Sequence, residues 1–193
     1  ERLRKNPAAA RVFFHADGSP YALGETWRQP DLAWTLGRIS DKGADDFYRG
    51  EVAQRIAAEM AAGGGLITAQ DLAAYKVMER EPVRGTYREF DIVSAPPPSS
   101  GGVHIVQMLN ILEGYDLKAM GHNSAAYLHH LAESMKLAYA DRSEYLGDPD
   151  FFPVPVAQLT DKAYAARQRQ RIDSARATPA ADIAPGRALR EES

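Results

Sequence analysis

Two serines followed by two glycines, Ser99, Ser100, Gly101 and Gly102, stand where a chain could aim a nucleophile or cradle an anion. They sit inside "SAPPPSSGGVHIVQML" at 94–109, directly behind the proline triplet Pro96, Pro97 and Pro98. A serine nucleophile on a sharp strand-to-helix turn follows the spacing G-x-S-x-G, and "PSSGG" departs from it. A phosphate-binding loop of the G-x-x-x-x-G-K-[ST] kind places a lysine after its glycines, and here Val103 follows. The residues themselves support something more general. Ser99 or Ser100 caps the following helix, and the glycines let the backbone turn and approach its neighbours. Free N–H groups at the helix start could also hold an anion. Two readings stand: a structural turn and a substrate-facing loop.

The other reactive side chains do not assemble into a pattern. His129 and His130 are adjacent, so on a helix they point in different directions; His122 precedes that helix and His104 lies on another. H-E-x-x-H is absent, so polar or capping roles are expected for these histidines and no metal. Asp141, Glu144, Asp148 and Asp150 resemble a calcium loop only loosely, because the D-x-[DN]-x-[DN]-G spacing fails at Phe152. Asp148 is expected to make a turn before Pro149. Of Arg167, Arg169 and Arg171, only the first and last share a helix face, and a solvated face is expected. The chain has no cysteine, which excludes disulfides and thiolate chemistry. A net charge of −3 supplies no general basic field for nucleic acid or anionic membrane. No stretch approaches the ~20 apolar residues of a membrane span.

The elements that must position these residues follow from periodicity and punctuation. Residues 1–29 read as an extended arm, with Asp-Gly and Ser-Pro turn signals in "HADGSPY". A helix begins at Pro30, takes an apolar face from Leu32, Leu36 and Ile39, and stops at Gly43. A second spans 45–62, with Phe47, Val52, Ile56 and Met60 on one side and the triplet Gly63–Gly65 at its end. Thr68 and Asp71 form a capping-box variant for a short helix. From Pro82 the pattern alternates through Val83, Gly85, Tyr87, Phe90 and Ile92, which predicts two short strands or one bent strand over 83–94. Between Gly102 and Glu113, Val103, Val106, Leu109, Ile111 and Leu112 are too dense for a surface helix, so this helix is expected to be buried. Gly114 is expected to stop it. A long helix from Ser124 to Tyr145 is expected to turn Leu128, Leu131, Met135 and Ala138 to the core. "GDPDFFPVPV" at 147–156 is a proline-broken loop, and Thr160 is expected to cap a helix reaching Ile172. The aperiodic "SARATPAADIAPGRALREES" reads as an extended or mobile tail over 173–193. The expected fold class is α+β and mainly helical: an arm at 1–29, a helical α+β region at 30–172 with strands at 83–94, and the tail.

The spelling of several segments is more specific than their chemistry. "GGGLITAQDLAAYKVMEREPVRGTYREFDIVSAPPPSSGG" (63–102), "QMLNILEGYDL" (107–117) and "KLAYADRSEYLGDPDF" (136–151) resemble the bacterial γ-glutamyltranspeptidases. So does "DGSPYALGETWRQPDLAWTLGRISDKGADDFYRGEVAQRIA" (17–57). The resemblance covers nearly the whole chain and corresponds to the second half of the family's large subunit. It implies an N-terminal-nucleophile hydrolase with an αββα sandwich shared between two subunits. It also implies a precursor that cuts itself before a threonine, which then attacks the γ-glutamyl bond of glutathione or a related amide. On that reading "APGRALREES" (184–193) leads to the autoprocessing site, and the threonine lies a few residues beyond Ser193. The diglycine oxyanion hole belongs to the small subunit, and the carboxylate-gripping arginine lies in the first half of the large subunit. The resemblance therefore places no catalytic or substrate-binding residue in this chain, and it makes Pro96, Pro97, Pro98, Ser99, Ser100, Gly101 and Gly102 a structural loop. The implied partners are the rest of the same precursor and a γ-glutamyl substrate. No cofactor or metal is implied, and the implied location is periplasmic or secreted. Acylases for cephalosporin or glutaryl groups share this scaffold. A stand-alone helical interaction module is the alternative from another class.

Overall fold

The computed structural model describes residues 2–186, and the chain divides into two compact units, 1–78 and 79–193.

In the first unit the stretch expected as an extended arm holds a helix, α1 (Pro7–Phe13). Pro7 opens it, and the Asn6 side chain accepts the Ala9 N–H at 2.9 Å. The Trp27 indole donates to the Val12 carbonyl at 2.7 Å and its ring lies 5.2 Å from Phe13, so the returning chain is fastened to α1. Helix α2 (Pro30–Lys42) starts at its proline and ends before Gly43, as expected. The single helix expected over 45–62 is two: α3 (Ala44–Tyr48) and α4 (Glu51–Gly63). Asp46 is the reason. Its carboxylate accepts both Arg38 Nε and Nη2, at 3.0 and 2.5 Å, and also the Glu51 N–H at 3.4 Å, which fixes the break before α4. The Arg38 hydrogen bonds hold the Asp46 carboxyl below its usual range. Helix α5 (Ala69–Ala74) carries the expected capping box, with Thr68 and Asp71 each satisfying the other's backbone N–H.

The second unit opens with a hairpin. Strands β1 (Val83–Tyr87) and β2 (Phe90–Ser94) pair antiparallel, with Val83 opposite Ser94 and Tyr87 opposite Phe90. Helix α6 (Gly101–Leu112) follows and is the buried element the sequence predicts. Then come α7 (Leu117–Met120), α8 (Ala125–Tyr145), α9 (Val156–Leu159) and α10 (Lys162–Arg169). Helix α6 packs on β1, α8 and α10. Val83, Val103, Val106, Tyr145, Leu159 and Tyr164 make one apolar cluster; Ile111, Leu137, Ala165 and Ile172 make another, with Ile183 against it.

Three expectations are corrected here. Leu128 and Met135 of α8 are exposed, and the buried face is His130, Glu133, Ser134, Leu137, Ala138, Asp141 and Tyr145. The face is half polar, so hydrophobic spacing could not locate it. Thr160 closes α9, its hydroxyl donating to the Val156 carbonyl at 2.8 Å; Asp161 caps α10 by accepting the Tyr164 N–H at 2.7 Å, and α10 ends at Arg169. The tail is not free: residues 173–186 lie on the helices, with a 3-10 turn at Ala180–Asp182 and a buried Gly186. Residues 187–193 lie outside the described residues.

Ile111 is fully buried in the second cluster, whereas Leu23 is fully exposed. Ile111→Ala is expected to lower stability by about 2–5 kcal/mol. Leu23→Ala should stay within about 0.5 kcal/mol of the parent. Equilibrium urea unfolding checks both, and a similar loss for the two would place Ile111 outside the core.

Candidate functional site

The serine loop is built to bring helix and strand together. Ala95–Ser100 turns β2 into α6 through a cis Pro97–Pro98 bond, and the Ser99 N–H donates to the Pro96 carbonyl at 3.2 Å. Pro97 and Gly102 are buried. A Cβ on Gly102 would collide with the Ala95 carbonyl oxygen, so this close approach requires glycine. Ser100 occupies the N-cap position, but its side chain makes no capping hydrogen bond, contrary to the sequence expectation. Its hydroxyl instead accepts from Arg142 Nε at 3.2 Å. Ser99 is exposed, and among the described residues neither serine hydroxyl is hydrogen-bonded to an imidazole.

His104 stands in the first turn of α6, directly after this loop. Its ring sits 5.2 Å from that of Tyr139, and Nε2 is buried without a hydrogen-bond partner. Burial pushes the imidazole below its usual range, and Arg142 adds to that effect. His129 and His130 take the polar roles expected of them. His129 Nε2 donates to the Asp173 carbonyl at 2.8 Å. His130 bridges the Ala126 carbonyl through Nδ1 and Ser174 Oγ through Nε2. Among the described residues no group of three or more acidic or imidazole side chains is placed to hold a metal. Asp148 makes its turn, accepting the Asp150 N–H at 3.0 Å, and Asp150 pairs with Arg80 at 2.7 Å.

The densest polar centre lies elsewhere, around Asp141. This fully buried carboxylate accepts four neutral donors from three different segments. Oδ2 takes Gln107 Nε2 of α6 at 2.5 Å, and from α10 the Tyr164 hydroxyl at 2.6 Å and Gln168 Nε2 at 2.9 Å. Oδ1 takes the Gly186 N–H at 2.7 Å. Tyr145, one helical turn beyond Asp141, donates its hydroxyl to the Gly186 carbonyl at 2.8 Å. Burial, and then Asp141 itself, raise the Tyr164 phenol well above the ordinary tyrosine range. Sequence reading set Asp141 aside as a poor calcium ligand. The available signal was the run of polar residues at helical spacing inside apolar faces: Gln107 on α6, Asp141 on α8, and Tyr164 with Gln168 on α10.

The tail is held by further bonds of the same type. Lys136 Nζ donates to the Thr178 carbonyl at 2.5 Å, and Glu133 Oε1 accepts the Thr178 N–H at 3.3 Å. Arg171, expected on a solvated face, donates to the Ala184 carbonyl at 2.6 Å. Arg169 donates to the carbonyls of Asn110 and Ile111, both at 2.8 Å, and so closes the C-terminal end of α6.

The sequence model of the gamma-glutamyltranspeptidase family matches residues 1–192. The chain belongs to that family. It is 50% identical over 188 residues to the glutathione hydrolase proenzyme of Escherichia coli (strain K12), covering 97% of this chain and 32% of the relative. It is also 46% identical over 171 residues to the acylase ACY 1 proenzyme of Pseudomonas sp. (strain SE83), covering 89% of this chain and 30% of that one. The structure matches that of Helicobacter pylori gamma-glutamyltranspeptidase with a TM-score of 0.89 and 44% identity, over 100% of this chain and 55% of the other. The chain thus spans about a third of the curated gamma-glutamyltranspeptidase relatives it matches. The mainly helical fold with a small two-stranded sheet is the one found in gamma-glutamyltranspeptidase structures. Among the described residues no helix is long and apolar enough to cross a membrane.

The Asp141 centre carries a signature in pH. Burial and Asp141 hold the folded-state pKa of Tyr164 above the ordinary tyrosine value of about 10. Below pH 10 the phenol is neutral in both folded and unfolded chains, so its contribution is fully present. Above pH 10 only the unfolded chain ionises, and stability is lost as pH rises toward the folded value. The difference for one such group is about 1.4 kcal/mol per pH unit. Tyr164→Phe is expected to flatten the stability–pH curve above pH 10 by that slope in urea titrations. Parallel curves would mean that Tyr164 is not protected.

Proposed function

We propose that this chain is the scaffold portion of a γ-glutamyltranspeptidase that hydrolyses or transfers the γ-glutamyl group of glutathione and related amides. The observation that carries the reading is the family match over residues 1–192, together with a glutathione hydrolase proenzyme 50% identical over 188 residues. The parent has the αββα sandwich of an N-terminal-nucleophile hydrolase and is periplasmic or secreted. A threonine C-terminal to Ser193 attacks the γ-glutamyl carbonyl carbon, the amide C–N bond breaks, and the amine leaves with a proton. Water or an acceptor amine then resolves the acyl-enzyme. The groups that do this lie in the rest of the precursor, with which this chain packs, and no residue of this chain touches the reacting atoms.

The loop geometry supports the structural role of Pro96–Gly102. Gly102 is needed where α6 passes Ala95, and among the described residues neither serine hydroxyl is hydrogen-bonded to an imidazole. The 46% identity to an acylase proenzyme favours one second reading, a cephalosporin or glutaryl acylase-like member of the same family.

The purified 193-residue chain is expected to release no p-nitroaniline from a γ-glutamyl anilide, since on this reading the nucleophile belongs to another segment of the precursor. Release that disappears in Ser99→Ala or Ser100→Ala would place the chemistry in this loop. In the complete enzyme Ser100→Ala removes a partly exposed bond to Arg142, for a cost of about 1 kcal/mol. Turnover per active site, counted by acyl-enzyme burst, is expected to stay at the parent value. A fall of about 10²–10³ at unchanged melting temperature would make the loop part of an oxyanion hole.

A further inference from the structure

The Asp141 centre does more than fill the core, because two of its bonds reach a single residue in the tail. Gly186 donates its N–H to Asp141 Oδ1 at 2.7 Å and accepts the Tyr145 hydroxyl on its carbonyl at 2.8 Å. Asp141 and Tyr145 lie four residues apart on α8, so they are neighbours on one face of a rigid helix. Gly186 is buried, and a Cβ there would collide with the Tyr164 hydroxyl, so this position is shaped for glycine. Upstream, the same strap is tied to α8 at Asp173, Ser174 and Thr178. The strap makes few backbone bonds of its own beyond the 3-10 turn at Ala180–Asp182. Its path is therefore dictated by side chains of α8 and by Arg171. A surface tail whose only task is to connect does not need the N–H and the C=O of one residue both held in the dry interior.

We propose that Asp141 and Tyr145 form a clamp that fixes the chain at Gly186 and thereby positions the segment C-terminal to it for the cut that matures the precursor. This rests on the reading that the precursor is processed. In that step the peptide bond before the threonine is hydrolysed: the C–N bond breaks, the carbonyl carbon takes the hydroxyl of water and the amine takes the proton. A self-cleaving bond must be presented in a narrow geometry. A displacement of about 1 Å transmitted from a distant residue can cost on the order of 10²-fold in rate. The anchored Gly186 gives the chain leaving the core one fixed origin. Asp141 and Tyr145 act as positioning residues through the backbone they hold, and neither contacts the reacting atoms. Once the cut is made their task is over, so the mature enzyme should not depend on them for turnover.

The test uses the full precursor and follows its conversion to two subunits as a first-order process on denaturing gels. Three variants are compared with the wild type. Tyr145→Phe deletes the hydroxyl and keeps the ring in its apolar cluster. Asp141→Asn retains the shape and weakens the acceptor. Ile111→Val trims the neighbouring core without touching the clamp. The two clamp variants are expected to mature about ten-fold or more slowly, while turnover per matured active site equals that of the wild type and Ile111→Val matures normally. Equal maturation rates for wild type, Tyr145→Phe and Asp141→Asn overturn the clamp while leaving the processing reading intact. A comparable slowing in Ile111→Val overturns it too, since general destabilisation then explains the rate. A wild-type precursor that never splits overturns both the clamp and the reading beneath it. Should Asp141→Asn fail to fold, Tyr145→Phe decides alone, because it removes one oxygen and leaves the packing in place.

Discussion

A carboxylate removed from water must be given hydrogen-bond donors in return, and Asp141 receives four of them from segments other than its own helix. Gln107 brings α6, Tyr164 and Gln168 bring α10, and Gly186 brings the tail. Each of those groups is itself buried, so each would be costly to leave unpaired. The centre therefore couples four segments: moving one strips a donor from the shared acceptor and orphans the group that moved. Networks of this type specify one arrangement more strongly than apolar contact does, because apolar contact tolerates sliding and a shared acceptor does not.

Helix α6 is the element most dependent on this arrangement. It enters through the serine loop, where Gly102 lets its first turn pass against Ala95. Along its length it presents Val103, Val106 and Ile111 to the apolar clusters and Gln107 to Asp141. Asn110 Nδ2 reaches the Thr160 carbonyl at 2.7 Å, tying α6 to the turn before α10. At its far end Arg169 satisfies two carbonyls that a helix terminus leaves open. Glu113 then joins the hairpin turn to α10, accepting the Arg88 N–H and Lys162 Nζ, both at 2.5 Å. The residues that first suggested chemistry, the two serines and the diglycine, thus stand at the entrance of a helix that packs on β1, α8 and α10.

That division fits a chain that spans a third of the proenzymes it resembles. Its polar side chains are spent on holding backbone: His129 on Asp173, Lys136 on Thr178, Arg171 on Ala184 and Tyr145 on Gly186. Large apolar side chains such as Phe90, Val93 and Ile105 remain exposed in the second unit.

Local chemistry was legible in the sequence wherever one residue settles one backbone feature. Pro30 began a helix, Gly43 ended it, Thr68 and Asp71 capped the next, and alternation from Val83 gave the strands. Density of apolar residues also identified α6 as buried, and the spelling of long segments identified the family. What depended on partners far along the chain was not legible. The break between α3 and α4 needs Arg38 against Asp46; the polar face of α8 needs the tail that lies on it; and the tail reads as formless because its backbone groups pair with side chains. Periodicity reports burial only when the buried face is apolar. At Asp141 the interior is polar and its donors come from 23 to 45 residues away, so only the tertiary structure could place them together.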